Sequence, residues 1–311
     1  MRKKTTLMKE HCSLNDLCRR LETRRHGRGY YHLTTWSFLC KMLKRVHVPE
    51  GKEMHQMLRL RAAVKMNDEG DKKCGEGVFF TCFSFGPAEN ISMWTNYGVP
   101  NQEAVRIRFS RCAMTKWLNA YKDGAIGVYG VEANGNLVKI PERPEAKLVD
   151  IAYWSKYLGV SNKQKIKDPN KGVIRYMDRT YVITDPADWR ERMESGKLKD
   201  IAYMFKETGW QYENETRLVL LFKTGLANRF THVAVEFDGP YSELEKHFKT
   251  SVTQGPWFSE KNLTTQCPAG SHFLTEAQKS VYWGMLNMRS VCDGCGAENK
   301  ARCTCPFRGQ R

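Results

Sequence analysis

The chain has 311 residues, of which 41% are hydrophobic and 11% aromatic, enough for a sizeable core and too apolar for a disordered chain. Its formal net charge is +16, and residues 1–65 alone hold 16 Lys or Arg against 5 Asp or Glu. No apolar run approaches the roughly 20 residues of a membrane helix, and the basic start has no apolar stretch behind it, so neither a membrane span nor a secretory signal is expected.

A cytoplasmic location is therefore the expectation. The basic front end favours a polyanionic partner, a nucleic acid or a ribosome, although a solvated basic helix face would have the same composition. Nothing in the pattern speaks to oligomeric state.

Residues 1–28 are expected as a basic arm with a helix around "LNDLCRRLETRR". "GRGYYHL" is expected as a short strand. It runs into a helix, "TTWSFLCKMLKRV", with Thr34 or Thr35 as N-cap and Trp36, Leu39 and Leu43 on one face. "VFFTCFSF" and "AVRIRFS" are rich in strand formers. "AIGVYGVEANGNLVKI" is expected as a hairpin with a two-residue turn at Asn134-Gly135. "PADWRERMESGKLKDIAYMFKETG" is expected as a helix, with Pro186 near its start and Gly209 past its end. "WQYENETRLVLLF" and "THVAVEFD" follow as strands, and "LTEAQKSVYWGMLNMR" as a helix with a capping box from Thr275 to Gln278. Strands dominate the middle with helices interspersed, an α+β pattern.

Eleven cysteines are present, and seven show no framework spacing, as suits free thiols in a reducing compartment. The last four, Cys292, Cys295, Cys303 and Cys305, follow a C-x2-C-x7-C-x-C spacing. Four thiolates make a closed tetrahedral site, so a structural zinc knuckle is expected there, with a chance cysteine-rich terminus as the alternative. The expected organisation is an arm over 1–28, an α+β domain over 29–260, and a helix with the knuckle over 261–311.

Glu213, Glu215 and Arg217 alternate along one strand, so a period of two would turn all three to one face just before a wholly apolar run. A charged strand edge with internal ion pairing would look the same. Four stretches in order, "YYHLTTWSFLCKML", "MNDEGD", "FFTCFSFGPAENISMWTNYG" and "FKETGWQYENETRLVLLF", resemble the bacterial family catalogued as domain of unknown function 2971. The resemblance covers roughly residues 29–240. The order of a strand-end His, a mid-chain Ser with aromatics and a strand-borne Glu-x-Glu is more remotely similar to ADP-ribosyltransferases.

That similarity implies mixed sheets with flanking helices and NAD as substrate. Glu215 would stabilise a ribosyl cation, Glu213 would position the acceptor, and Arg217 would keep the pair ionised. His32 and Thr34 would hold the NAD ribose, and Ser84, Trp94 and Tyr97 would surround the nicotinamide. Each also fits a bland role, His32 as a satisfied histidine and Trp94 with Tyr97 as core. Two other functions remain open at this point: a non-catalytic zinc- and nucleic-acid-binding protein, and a metal-dependent hydrolase using Glu213, Glu215, Asp68 and His32.

Overall fold

The computed structural model describes residues 9–23, 29–49, 51, 54–85, 89–98, 103–154, 171–177, 180–183, 195, 198–237, 252–259 and 278–280. The chain begins with β1 (Lys9–Ser13), α1 (Leu14–Thr23), β2 (Gly29–Thr35) and α2 (Trp36–Leu43). Next come β3 (Val46–His47), β4 (Met54–His55), β5 (Met57–Ala62), β6 (Val78–Phe85), α3 (Ile91–Gly98) and β7 (Ala104–Ser110). Then follow α4 (Arg111–Lys122), β8 (Val128–Val131), β9 (Leu137–Lys139), β10 (Glu145–Asp150), β11 (Ala152–Trp154), β12 (Lys171–Met177) and β13 (Thr180–Ile183). The last strands are β14 (Phe205–Glu207), β15 (Glu215–Leu221), β16 (His232–Glu236), β17 (Val252–Gln254) and β18 (Gln278–Lys279). The fold is mixed α+β, dominated by antiparallel pairing and with few helices among the described residues.

The chain divides into two compact units. The first unit comprises 1–30, 45–86 and 110–243. Its main sheet runs β9-β8-β16-β5-β6-β15-β10, every neighbour antiparallel. A second, mixed sheet runs β1-β12-β13-β11-β14, with β11 parallel to both β13 and β14. One face of the main sheet carries Val78, Phe80, Val149 and Val219. Leu17 and Leu21 of α1, four residues apart on one helix face, join them in a core that also holds Tyr203 and Phe205. Helix α4 is capped by Ser110, whose hydroxyl accepts from the Ala113 amide at 3.0 Å. Its Trp117 donates to the Glu236 carbonyl at 2.8 Å.

The second unit comprises 31–44, 87–109 and 244–311. Its strands lie in the order β18-β17-β7-β2. Thr35 caps α2, accepting from the Phe38 amide at 3.2 Å, and the buried Trp36 ring meets Phe258 edge-on at 5.5 Å.

Several expectations need correction. The 132–136 turn is not the two-residue type: Val131 pairs with Leu137, the Gly135 amide donates to Glu132 O at 2.9 Å, and Gly135 sits at φ +89. A tight two-residue turn of the primed type would also need Asn134 at positive φ, and Asn134 is not there. The stretch up to Gly209 is not a continuous helix, because Ala202–Met204 is one 3-10 turn and Phe205–Glu207 is strand β14. Residues 202–206 are buried in succession, which a surface helix with one inward face cannot achieve. Gln278 and Lys279 are strand rather than helix; residues 274–277 and 281–289 of that stretch lie outside the described residues. Strand β1 had no sequence signal.

Gly130 illustrates how tightly the first unit is packed. A Cβ there would overlap the ring of Phe230, itself buried. Gly130→Ala is therefore expected to lower unfolding free energy by about 1–3 kcal/mol, read as a lower urea midpoint with an unchanged slope.

Candidate functional site

Strand β15 begins where the main sheet meets the end of the mixed sheet, and the charged residues gather there. Glu215 and Arg217 point to the same face, as period two requires. Glu213 does not lie on the strand: it ends a 3-10 helix (Thr208–Glu213), and Asn214 reverses the chain at φ 47, ψ 57. That left-handed conformation is one asparagine tolerates. It returns Glu213 to the same cluster by a turn instead of by strand alternation.

The cluster is held by two cations. Lys206, on β14, places its Nζ 2.7 Å from Glu213 Oε2 and 2.9 Å from Glu215 Oε2. Arg217 Nε lies 2.5 Å from Glu215 Oε1, and its Nη1 lies 2.7 Å from Asp71 Oδ1 and donates to Tyr203 O at 3.0 Å. The Arg217 guanidinium also stacks 4.2 Å from the centre of the Phe80 ring. Tyr153, beside Lys206 in the β11–β14 register, accepts from the Glu215 amide at 2.8 Å. The order of charges is Glu213–Lys206–Glu215–Arg217–Asp71. All five residues are buried, Arg217 completely and Lys206 to 7% exposure.

Burial pushes every carboxyl here upward, but the outcomes differ. At Glu215 the Arg217 and Lys206 cations outweigh burial and hold the group well below the usual carboxylate range. Glu213 is raised, by burial and then by the neighbouring Glu215 charge, which Lys206 only partly offsets. Asp71 is raised by burial in spite of Arg217. Burial opposes charge on Lys206, yet Glu215 and Glu213 keep its ammonium firmly protonated. The Cys82 thiol, across β6 from Arg217, is pushed up by burial and by Glu215; it stays protonated and donates to Glu215. Cys74, near Asp71, is pushed up to about 12 by burial.

At neutral pH these five groups amount to three carboxylates against two cations. The remaining negative charge must be met by a proton or by a cationic group. Glu213 is the member best placed to take that proton, while Glu215 stays ionised. The exposed margin of the cluster is Trp210, 36% accessible, whose ring centre lies 4.9 Å from Lys206 Nζ and 6.1 Å from the Tyr212 ring.

Of the residues expected from sequence, Glu213, Glu215, Arg217 and Ser84 come together. Ser84 stands directly opposite Glu215 in the β15–β6 register, which turns both side chains to one face. His32, Thr34 and Trp94 belong to the second unit. His32 is half-buried on β2, its ring 6.1 Å from Phe38. Trp94 is 1% exposed, and its indole N–H donates to Glu89 Oε2 at 2.9 Å, so it packs as core. Tyr97 falls on α3, with its side chain outside the described residues. Cys292, Cys295, Cys303 and Cys305 also lie outside them.

Lys206 and Asp71 escape a reading of the sequence. Lys206 is hidden in a stretch with helical periodicity. Asp71 lies three residues beyond Asp68, the loop acid that is the candidate by sequence. Neither has a local pattern that announces a partner, since Lys206 reaches Glu215 from the end strand of a different sheet and Asp71 reaches Arg217 from 146 positions away. Among the described residues no group of three or more His, Cys, Asp or Glu is placed to hold a metal ion, and no helix is long and apolar enough to cross a membrane. Comparison of the chain with protein-family models, with curated proteins and with solved structures gives no match.

Proposed function

We propose that the chain is an NAD-dependent ADP-ribosyltransferase-like enzyme, with the Glu213–Lys206–Glu215 cluster as its reacting centre and a nucleic acid or an associated target as acceptor. The observation that carries this reading is the residual negative charge of a buried cluster with three carboxylates and two cations. Breaking the nicotinamide–ribose bond sends its electron pair to nicotinamide and builds positive charge on the ribose. A fixed negative charge in low-dielectric surroundings favours that state over the ground state.

In this scheme Glu215 is the ionised carboxylate beside the ribosyl cation. Arg217 and Lys206 hold it in place and in that charge state. The cationic nicotinamide–ribose group of NAD meets the residual charge in place of a proton, so Glu213 is ionised. An acceptor oxygen or nitrogen then forms the new bond to the ribose carbon, and its proton passes to Glu213. The Trp210 ring offers a face on which a flat heteroaromatic such as nicotinamide stacks. Roles for His32, Thr34, Ser84 and Tyr97 in holding NAD rest on the resemblance alone, and Trp94, buried and packed as core, takes none. On donor chemistry alone, the four late cysteines are proposed as a structural zinc site.

The test is calorimetric titration with NAD together with chromatographic measurement of released nicotinamide. Wild type and Glu215→Gln should both bind NAD saturably, with release slowed at least about 100-fold in the variant. Absence of binding to either form assigns the cluster a purely structural role. Glu213→Gln serves as a second variant should Glu215→Gln fail to fold.

A second reading, a non-catalytic nucleic-acid-binding protein, is favoured by the charge of +16 and by exposed Arg19, Arg20, Lys41, Lys44 and Arg45. It is expected to give salt-sensitive binding without nicotinamide release.

A further inference from the structure

We propose that Arg59, Arg61 and His232 of the first unit form a docking strip for the phosphodiester backbone of a single-stranded nucleic acid. The strip follows from sheet register. On β5, Met57, Arg59 and Arg61 alternate to one face, and across β16 His232 stands opposite Arg61 while Ala234 stands opposite Arg59. Val131 and Tyr129 of β8 continue the row behind them. The floor of this face is apolar: Met57, Tyr129, Val131 and Ala234 are buried together with Val48. The cationic groups rise from its border, Arg61 exposed and Arg59 and His232 half-buried.

Two features indicate an anion. Arg59 and Arg61 lie side by side on one strand, and among the described residues no carboxylate pairs with either guanidinium. Like charges so placed repel, and an anion between them relieves the repulsion. The carboxylate on the same face of β16, Glu236, sits at the far end of the strand. It is already engaged, accepting from Tyr129 Oη at 2.8 Å and from the Gly127 amide at 3.1 Å.

The geometry favours one strand over a duplex. Residues two apart on a strand are separated by about 6.8 Å, comparable to consecutive phosphates of an extended chain, so the two guanidiniums can follow a single backbone. His232 adds a ring face beside them. Burial, and then the two neighbouring guanidiniums, lower its pKa, so the ring is neutral at physiological pH and available for stacking. Its Nδ1 lies 3.0 Å from Thr231 Oγ1. The strip extends the nucleic-acid part of the reading above and rests on that part only, not on the NAD chemistry.

The experiment is fluorescence anisotropy of the full chain with a labelled oligouridylate across a salt series, without NAD. Arg59→Gln/Arg61→Gln is expected to bind about ten-fold more weakly and to flatten the log K against log salt slope by about 1.4, roughly 0.7 for each phosphate no longer neutralised. Arg61→Gln alone, at an exposed position, should flatten it by about 0.7. Lys122→Gln/Lys223→Gln, an equal reduction of charge at exposed positions outside the strip, should leave the slope unchanged. The strip is overturned if wild type does not bind, or if the two double variants behave alike. Competition by duplex DNA as effective as by the single strand overturns the single-strand assignment. Nicotinamide release, measured separately, reports on the NAD reading whichever way the binding falls.

Discussion

Arg217→Met is expected to cost about 3–5 kcal/mol of stability at neutral pH. The substitution leaves Glu215 and Asp71 without their shared cation in a site closed to water, and it removes the donor to Tyr203 O. Methionine fills much of the volume and would still pack on Phe80, so the effect reports on charge rather than on a cavity. Arg217→Lys should recover only part of the loss, because a point ammonium cannot reach Glu215, Asp71 and Tyr203 O together. Urea unfolding at constant slope is the measurement. In a double-mutant cycle with Glu215→Gln, a coupling above about 1 kcal/mol is expected. A loss under about 1 kcal/mol, the range of exposed pairs, would mean that the cluster is open to solvent.

Lys206→Met should be nearly as damaging at pH 7, about 3 kcal/mol, and its loss should shrink on mild acidification. Without the ammonium, Glu213 and Glu215 face each other as like charges. Glu213 already titrates above its ordinary value, so the folded protein binds that proton more tightly than the unfolded chain does. A carboxyl with a raised folded pKa gains stability as pH falls from neutral towards the unfolded value near 4.3. The variant should therefore become more stable on going from neutral pH to about 5.

Wild type carries an opposing contribution. Glu215 is depressed, so its stabilisation is present above about pH 4.3 and is lost as pH falls below that through its folded value. Raised Asp71 and Glu213 partly offset this loss. Unfolding midpoints of wild type and Lys206→Met over a pH series separate the two. If both follow the same profile, Lys206 does not stand between the glutamates as described.

These expectations bear on function as well as on stability. A buried cluster whose charge does not close is costly to fold, and natural chains retain such an arrangement where chemistry or specificity requires it. If Glu215→Gln proves as stable as wild type while releasing no nicotinamide, the residual charge serves the reaction. If it is more stable and NAD does not bind, the cluster is only a join between two sheets.

The sequence by itself determined the elements whose signal is local. "VFFTCFSF" and "AVRIRFS" are strands β6 and β7 with the bounds their composition suggests, Thr35 caps α2, and α1 lies in the basic front region. Strand alternation placed Glu215 and Arg217 on one face, and the apolar run behind them is the buried body of β15. Tertiary structure decided what distant parts of the chain supply. Continuous burial of residues 202–206 overrode helical periodicity, and β14 brought Lys206 between the glutamates. The left-handed Asn214 changed how Glu213 reaches the site, and the loop after β5 delivered Asp71 to Arg217. Periodicity reports which side of an element is buried. The partner of a buried charge is fixed by which strands pair, and that depends on packing across the whole unit.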